Sequence, residues 1–363
     1  MMKRALVLLL MGMLMLSPLC AARADDGETV YRLTDDRGET VTEYAGTPAP
    51  GDEYIAGDNS HYRVTAVDTA AGIARTEKIG SFVLPDVQWA EESAQPVSAR
   101  KKAVALYCTH SDESYEPTDG SSSLEKRGGI YDVAESLKEA LEKRGITVYY
   151  SPENHYPHDA GAYRRSRATA ASLAEEGVDA LFDIHRDGIP DAGQYVSEVN
   201  GQEVTKVRLL VGRSNQNAEA NKQFAAQIKA VADKVYPGLV KDIYIGKGTY
   251  NQDLMSQAVL LEFGTHKSDK NDVLASTAYM ADVLNRTLYG GVTGPAGEGG
   301  LRENKGGWTG AAWLIALLLL GVFLYAFAAS GSGRVAAQKW KRSFREMTGG
   351  LLGGRRDDGE KNE

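Results

Sequence analysis

The chain has 363 residues, with 41 Lys and Arg against 49 Asp and Glu and a formal net charge of −8. The acidic excess lies between residues 25 and 307, which hold 30 basic and 44 acidic residues, so nucleic acid and anionic lipid are poor partners for that part. It contains one cysteine, Cys108; no disulfide can form within it, and its stability must come from a core that about 280 residues are enough to build.

Residues 1–4 (MMKR), the apolar run 5–16 and Ala22-Arg23-Ala24 predict a secretory signal over residues 1–24. Cys20 follows Pro18-Leu19 rather than the small residues of a lipid-attachment site, and is not read as an anchor. Residues 25–84 alternate short β-like runs (TVYRL, YRVTAV) with turn clusters such as DDRG and GDNS, which predicts a small β domain. His61 within it is read as a surface residue, and residues 85–102 as a linker.

From residue 103 the period changes. Strands are predicted at 103–108, 146–150, 180–185, 207–211 and 259–263, with a hairpin turned at Asn200-Gly201. Helices are predicted at 130–143, 163–176, 218–235 and 272–288, the first stopped by Gly145. This alternation predicts an α/β domain over residues 103–289, a mainly parallel sheet with helices on both faces, whose ligands bind at the carboxyl ends of its strands. A glycine-rich linker (290–307) leads to an uncharged run at 311–329, long enough to cross a bilayer, so one transmembrane helix is predicted over 308–330. Residues 334–345 carry five Lys and Arg and no acid, which places the tail 331–363 in the cytoplasm and the bulk of a single-pass membrane protein outside.

The chemistry-bearing residues fall at strand ends. His110 follows the 103–108 strand, His185 ends ALFDIH, and Glu262 lies in AVLLEFG. In a parallel sheet these ends share an edge. Glu125, opening the next helix, would point back to the same edge, although the helix dipole alone also favours a glutamate there. Two imidazoles and a carboxylate, with a fourth position for water, make the composition of a catalytic zinc site, with Glu262 as the proton acceptor.

The stretches THSDESYEP (109–117), SR within YRRSRAT (163–169), DIHRD (183–187), YNQDL (250–254) and LLEFG (260–264) resemble the stage II sporulation protein P family, in order, over about residues 103–288. That family is similar to zinc-dependent N-acetylmuramoyl-L-alanine amidases, with an α/β sheet and peptidoglycan as substrate. The resemblance implies His110 and His185 as zinc ligands and Glu262 as catalytic base. It also implies cleavage of the lactyl-to-L-alanine amide, with activity on glycan strands or peptide cross-links open, and a role in septal wall remodelling during engulfment. The partners it implies are the stage II sporulation proteins D and M.

Glu125 lies fifteen residues after His110, as in the general amidases, whereas sporulation relatives vary here. Glu113, in His110-Ser-Asp-Glu113, is the competing ligand and would make the site one of a zinc carboxypeptidase type. A third reading is a catalytically inactive wall-binding scaffold. Arg186 could bind a peptide carboxylate, Asp187 orient the imidazole, and Asn251 and Gln252 hold the substrate amide. His155 and His158 have ligand-like spacing without a carboxylate cluster to support a second site. His266, after Gly264, is expected at the surface, and Cys108 is read as a small buried residue.

Overall fold

The computed structural model describes residues 29–87 and 101–290. The signal segment, residues 88–100 of the linker and everything from 291 onward, including the expected membrane span, lie outside the described residues. Among the described residues no helix is long and apolar enough to cross a membrane.

The N-terminal part consists of β1 (Val30–Thr34), β2 (Thr40–Ala45), β3 (Glu53–Ile55), β4 (Ser60–Asp68) and β5 (Ile73–Ser81). There follow β6 (Ala103–Tyr107), a short helix α1 (Glu116–Asp119), α2 (Ile130–Glu142), β7 (Thr147–Tyr150), α3 (Ala162–Glu175) and β8 (Ala180–Asp187). The chain continues through β9 (Val196–Val199), β10 (Gln202–Thr205), β11 (Val207–Gly212), α4 (Ala218–Val235), β12 (Val240–Gly246), β13 (Ala258–Thr265) and α5 (Lys270–Tyr289).

Eleven strands form one sheet in the order β2-β1-β5-β4-β3-β12-β11-β13-β8-β6-β7. Strands β13, β8, β6 and β7 run parallel, and β11 runs parallel to β12, but β11 and β13 pair antiparallel. The sheet is therefore mixed, not mainly parallel. The reason is the β9–β10 hairpin, a sheet of its own turned at Asn200-Gly201 with both residues at positive φ, which returns the chain in the opposite direction before β11. The described part of the expected β domain, residues 29–84, is likewise not set apart. Strand β3 pairs with β12, so the N-terminal strands extend the main sheet. Side-chain alternation signals a strand but not its partner, and β3 is too short to announce that pairing.

Alternation along β6 and β8 divides the core. Val104, Leu106, Phe182 and Ile184 face a layer built from α2, α4 and α5, while Ala105, Tyr107 and Leu181 face Ala170 and Leu173 of α3. Helices thus cover both faces, as the alternating pattern predicts. Every residue of β8 is buried, including Asp183, His185, Arg186 and Asp187. Charged groups in a central strand are costly to bury without partners, so this strand end points to a site.

Candidate functional site

Beyond β6 the chain folds back on itself before entering α2. Thr109 donates its backbone N–H and its hydroxyl to the Asp183 carboxylate, at 2.8 and 2.7 Å, tying the loop to β8. The amide of Glu113 bonds to the His110 carbonyl, so the four residues 110–113 make a turn that brings both side chains to the same point. The turn is held from behind by Gly128, where a Cβ would stand 2.3 Å from the Glu113 carbonyl oxygen. Only a glycine permits that approach.

Glu113 Oε1 lies 3.2 Å from His110 Nδ1 and 3.3 Å from His185 Nδ1, and Oε2 accepts from the Arg186 amide at 2.9 Å. The three ligand atoms lie within 4.8 Å of one another, the one such group among the described residues. On its far side His185 Nε2 lies 2.9 Å from Asp183 Oδ1, so a second carboxylate orients that imidazole. Burial pushes the His110 imidazole down to about 4, leaving it neutral as a ligand must be. Burial also lowers His185, but Asp183 and Glu113 outweigh it and raise it well above the ordinary range. Glu113, opposed by burial, is held well below the ordinary carboxylate range chiefly by His185 and His110. Two nitrogens and an oxygen converging in a buried site fit a divalent zinc ion by donor type, number and closeness.

His110, Glu113, His158, His185 and Glu262 line one cleft of about 510 Å³, together with residues 44–47 and 247–250. Tyr163 forms part of its wall, edge-on to His110 and parallel to His185. Glu262 pairs in register with His185 on β8 and with Arg208 on β11. Burial, reinforced by Asp187, raises its carboxyl well above the ordinary range against the opposing pull of Arg208.

Residues 58–285 match the profile of the family "Stage II sporulation protein P (SpoIIP)". The chain belongs to the stage II sporulation protein P family. Stage II sporulation protein P of Bacillus subtilis (strain 168) is 28% identical over 208 residues, covering 52% of each chain. The chain thus spans about half the length of that curated relative. Solved structures similar to it include an N-acetylmuramoyl-L-alanine amidase from Clostridium difficile 630, at 15% identity and TM-score 0.33, covering 52% of this chain and 95% of that one. Another is the catalytic domain of CwlV, an N-acetylmuramoyl-L-alanine amidase from Bacillus (Paenibacillus) polymyxa var. colistinus, at 16% and 0.34, covering 52% and 99%. The CwlD amidase from Clostridioides difficile in complex with the GerS lipoprotein is similar at 12% and 0.34, covering 52% and 96%.

Within this member of the sporulation family several expected roles move. Glu125 is exposed and accepts from the Tyr156 hydroxyl at 3.0 Å, outside the cluster. Glu113 occupies the place expected of it, because the back-folded loop carries residue 125 away before α2 begins. Asn251 and Gln252 do not line the cleft. Asn251 donates to the Tyr163 carbonyl and to Ser166, while Gln252 bridges Gly212 N–H and Leu210 C=O, so both side chains brace the scaffold. Arg186 does line the cleft and reaches the Ser122 carbonyl. Asp187 accepts from Tyr195 and Arg208. His266 is buried, not at the surface. Cys108 is fully buried, its thiol pushed up by burial, outside the His110–Glu113–His185 cluster. His155 is held by the Cys108 carbonyl and Thr169, whereas His158 stacks on His110 with ring centres 3.7 Å apart and its Nδ1 3.5 Å from Asp112.

Sequence reasoning missed Asp183 and the N-terminal cleft wall, and set His158 aside as a ligand of a second site without placing it in this cleft. Asp183 had a signal: two positions before His185 in a strand, it shares that residue's face. The other two depend on loop paths that periodicity does not encode.

Proposed function

We propose that this protein is a zinc-dependent peptidoglycan hydrolase cleaving the N-acetylmuramoyl-L-alanine amide, in septal wall remodelling during sporulation. The observation that carries the reading is the convergence of His110, Glu113 and His185 with a second carboxylate, Glu262, in one cleft. His110 and His185 would hold zinc through Nδ1 and Glu113 through Oε1. Zinc supplies a Lewis acid that polarises the scissile carbonyl and makes water nucleophilic near neutral pH. Glu262, whose burial strengthens it as a proton acceptor, takes the proton from the attacking water and delivers it to the leaving amine. Asp183 keeps the His185 ring turned so that Nδ1 faces the cluster. Arg186 supplies a cation at the cleft for a substrate carboxylate.

We place the catalytic part outside the cell, anchored by residues 308–330, with peptidoglycan as substrate and the stage II sporulation proteins D and M as partners. One observation favours a peptidase as second reading: the cluster's carboxylate comes from His110-x-x-Glu113. Digestion of purified peptidoglycan by the zinc-loaded protein, with products identified by mass, decides between them. Free stem peptides beginning with L-alanine support the amidase; shortened stems still attached to glycan support the peptidase. No product from protein with stoichiometric zinc sinks both.

A further inference from the structure

Glu262 is surrounded by groups that the hydrolytic reading leaves without a task. Its Oε2 lies 3.5 Å from the Tyr195 hydroxyl and 3.9 Å from Arg208 Nη1. Both neighbours converge on Asp187 Oδ2, to which Tyr195 donates at 2.7 Å and Arg208 at 2.8 Å. Arg208, fully buried, directs its remaining donors to Asp242 and to β2, where it bonds the Thr42 hydroxyl and the Glu43 carbonyl, each at 3.0 Å. The Tyr195 ring is packed in a cluster with Val30 of β1, Ala45 of β2 and Ile189. The hairpin β1–β2 thus grips both the phenol and the guanidinium beside Glu262. It lies before residue 58, outside the segment matched to the family profile.

We propose that Tyr195 is a positioning residue for Glu262, and that the β1–β2 hairpin, by fixing Tyr195 and Arg208, is part of the catalytic apparatus. This rests on the reading of Glu262 as base. A glutamate reaching into a cleft has three rotatable side-chain bonds, and misplacing a reacting group by about 1 Å costs on the order of 10² in rate. Filling the space under β1 needs only an aromatic ring. The hydroxyl does something a phenylalanine would not: it gives its one proton to Asp187 at 2.7 Å and stands between that carboxylate and Glu262 Oε2, 3.5 Å away, so it spaces the two. The planar guanidinium of Arg208 holds Asp187 from a second direction, so the spacer has a fixed anchor.

Tyr195→Phe keeps the ring and removes the spacing hydroxyl. We expect kcat to fall about tenfold, with KM and bound zinc unchanged, and no further loss when the change is added to Glu262→Gln. Thr42→Val, which takes the hairpin's hydroxyl from Arg208, should give a smaller loss of the same kind. A crystal structure of Tyr195→Phe should show the Glu262 carboxylate displaced, with His110, Glu113 and His185 in place. Full kcat in Tyr195→Phe, or a loss that adds in full to that of Glu262→Gln, overturns the proposal. Full activity in Thr42→Val overturns the hairpin's part in it. The crystal structure decides even if the parent protein hydrolyses no wall: an unmoved Glu262 sinks the positioning role, whereas parental inactivity sinks the hydrolase reading.

Discussion

Glu113 and Glu125 show what a spacing argument can and cannot carry. A glutamate opening a helix is favoured by the dipole wherever the helix points, so that position said nothing about which group reaches the histidines. The turn at His110–Glu113 does, because a carboxylate three residues on meets the imidazole at 3.2 Å. Glu113→Ala should therefore weaken zinc binding by more than about 10²-fold, a loss larger than that of an outer-shell partner, while Glu125→Ala keeps it. Zinc measured by mass spectrometry after dialysis checks this, and retention by Glu113→Ala would remove the ligand assignment. His110, His185 and Glu262 were legible as residues because each ends or nearly ends a buried strand. On the proposed reading Glu262→Gln keeps size and polarity but removes the base, so peptidoglycan hydrolysis should drop by about 10² to 10⁴ with zinc unchanged. A variant that digests wall at the parental rate would leave the activation of water to another group.

At the scale of elements, α2 and α3 were readable to within a residue or two, since apolar spacing and Gly145 mark them. The loop between β6 and α2 was not, although it supplies two of the three residues of the His110–Glu113–His185 cluster. Its shape depends on contacts such as Leu124 N–H to Asp112 C=O and Gly128 N–H to Ser111 C=O, which no periodic pattern announces. Gly128 is the place where this loop has no slack, because a methyl group would overlap the Glu113 carbonyl. Gly128→Ala should cost about 1–3 kcal/mol of stability and should also loosen zinc, because the backbone of a ligand must move. Chemical denaturation and metal titration of the same variant test both halves. A stable variant with parental zinc affinity would show that the loop yields without moving Glu113.

For the whole molecule, the expected boundary between a β domain and a catalytic domain dissolves into one sheet, and the reason is electrostatic as well as apolar. Arg208 of β11, fully buried, pairs with Asp242 of β12 and Asp187 of β8 and gives a further N–H to the Thr42 hydroxyl of β2, while Arg213 and Lys222 pair with Asp52 and Glu53 of the N-terminal region, so polar and ionic contacts tie the two regions together. Heat or urea should therefore melt the N-terminal strands and residues 103–290 in one transition, read by hydrogen exchange in both regions; two separated transitions would restore the independent β domain. The same network sets the acid limit. Burial pushes the Asp242 carboxyl up, but Arg208 and Lys241 outweigh it and hold it down at about 2. An ordinary aspartate titrates near ~3.9, so the folded state binds this proton less readily than the unfolded one. The stabilisation, about 2–3 kcal/mol, is fully present above pH ~4 and is lost as pH falls from there toward ~2. Asp242→Asn should be destabilised at neutral pH, because Arg208 loses its two-point carboxylate partner and keeps Asp187 at 2.8 Å with Glu262 more distant at 3.9 Å. Its urea midpoint should then fall less steeply than the parent's between pH 4 and 2. Parallel curves over that interval would mean that Asp242 is not the group whose protonation loosens the sheet.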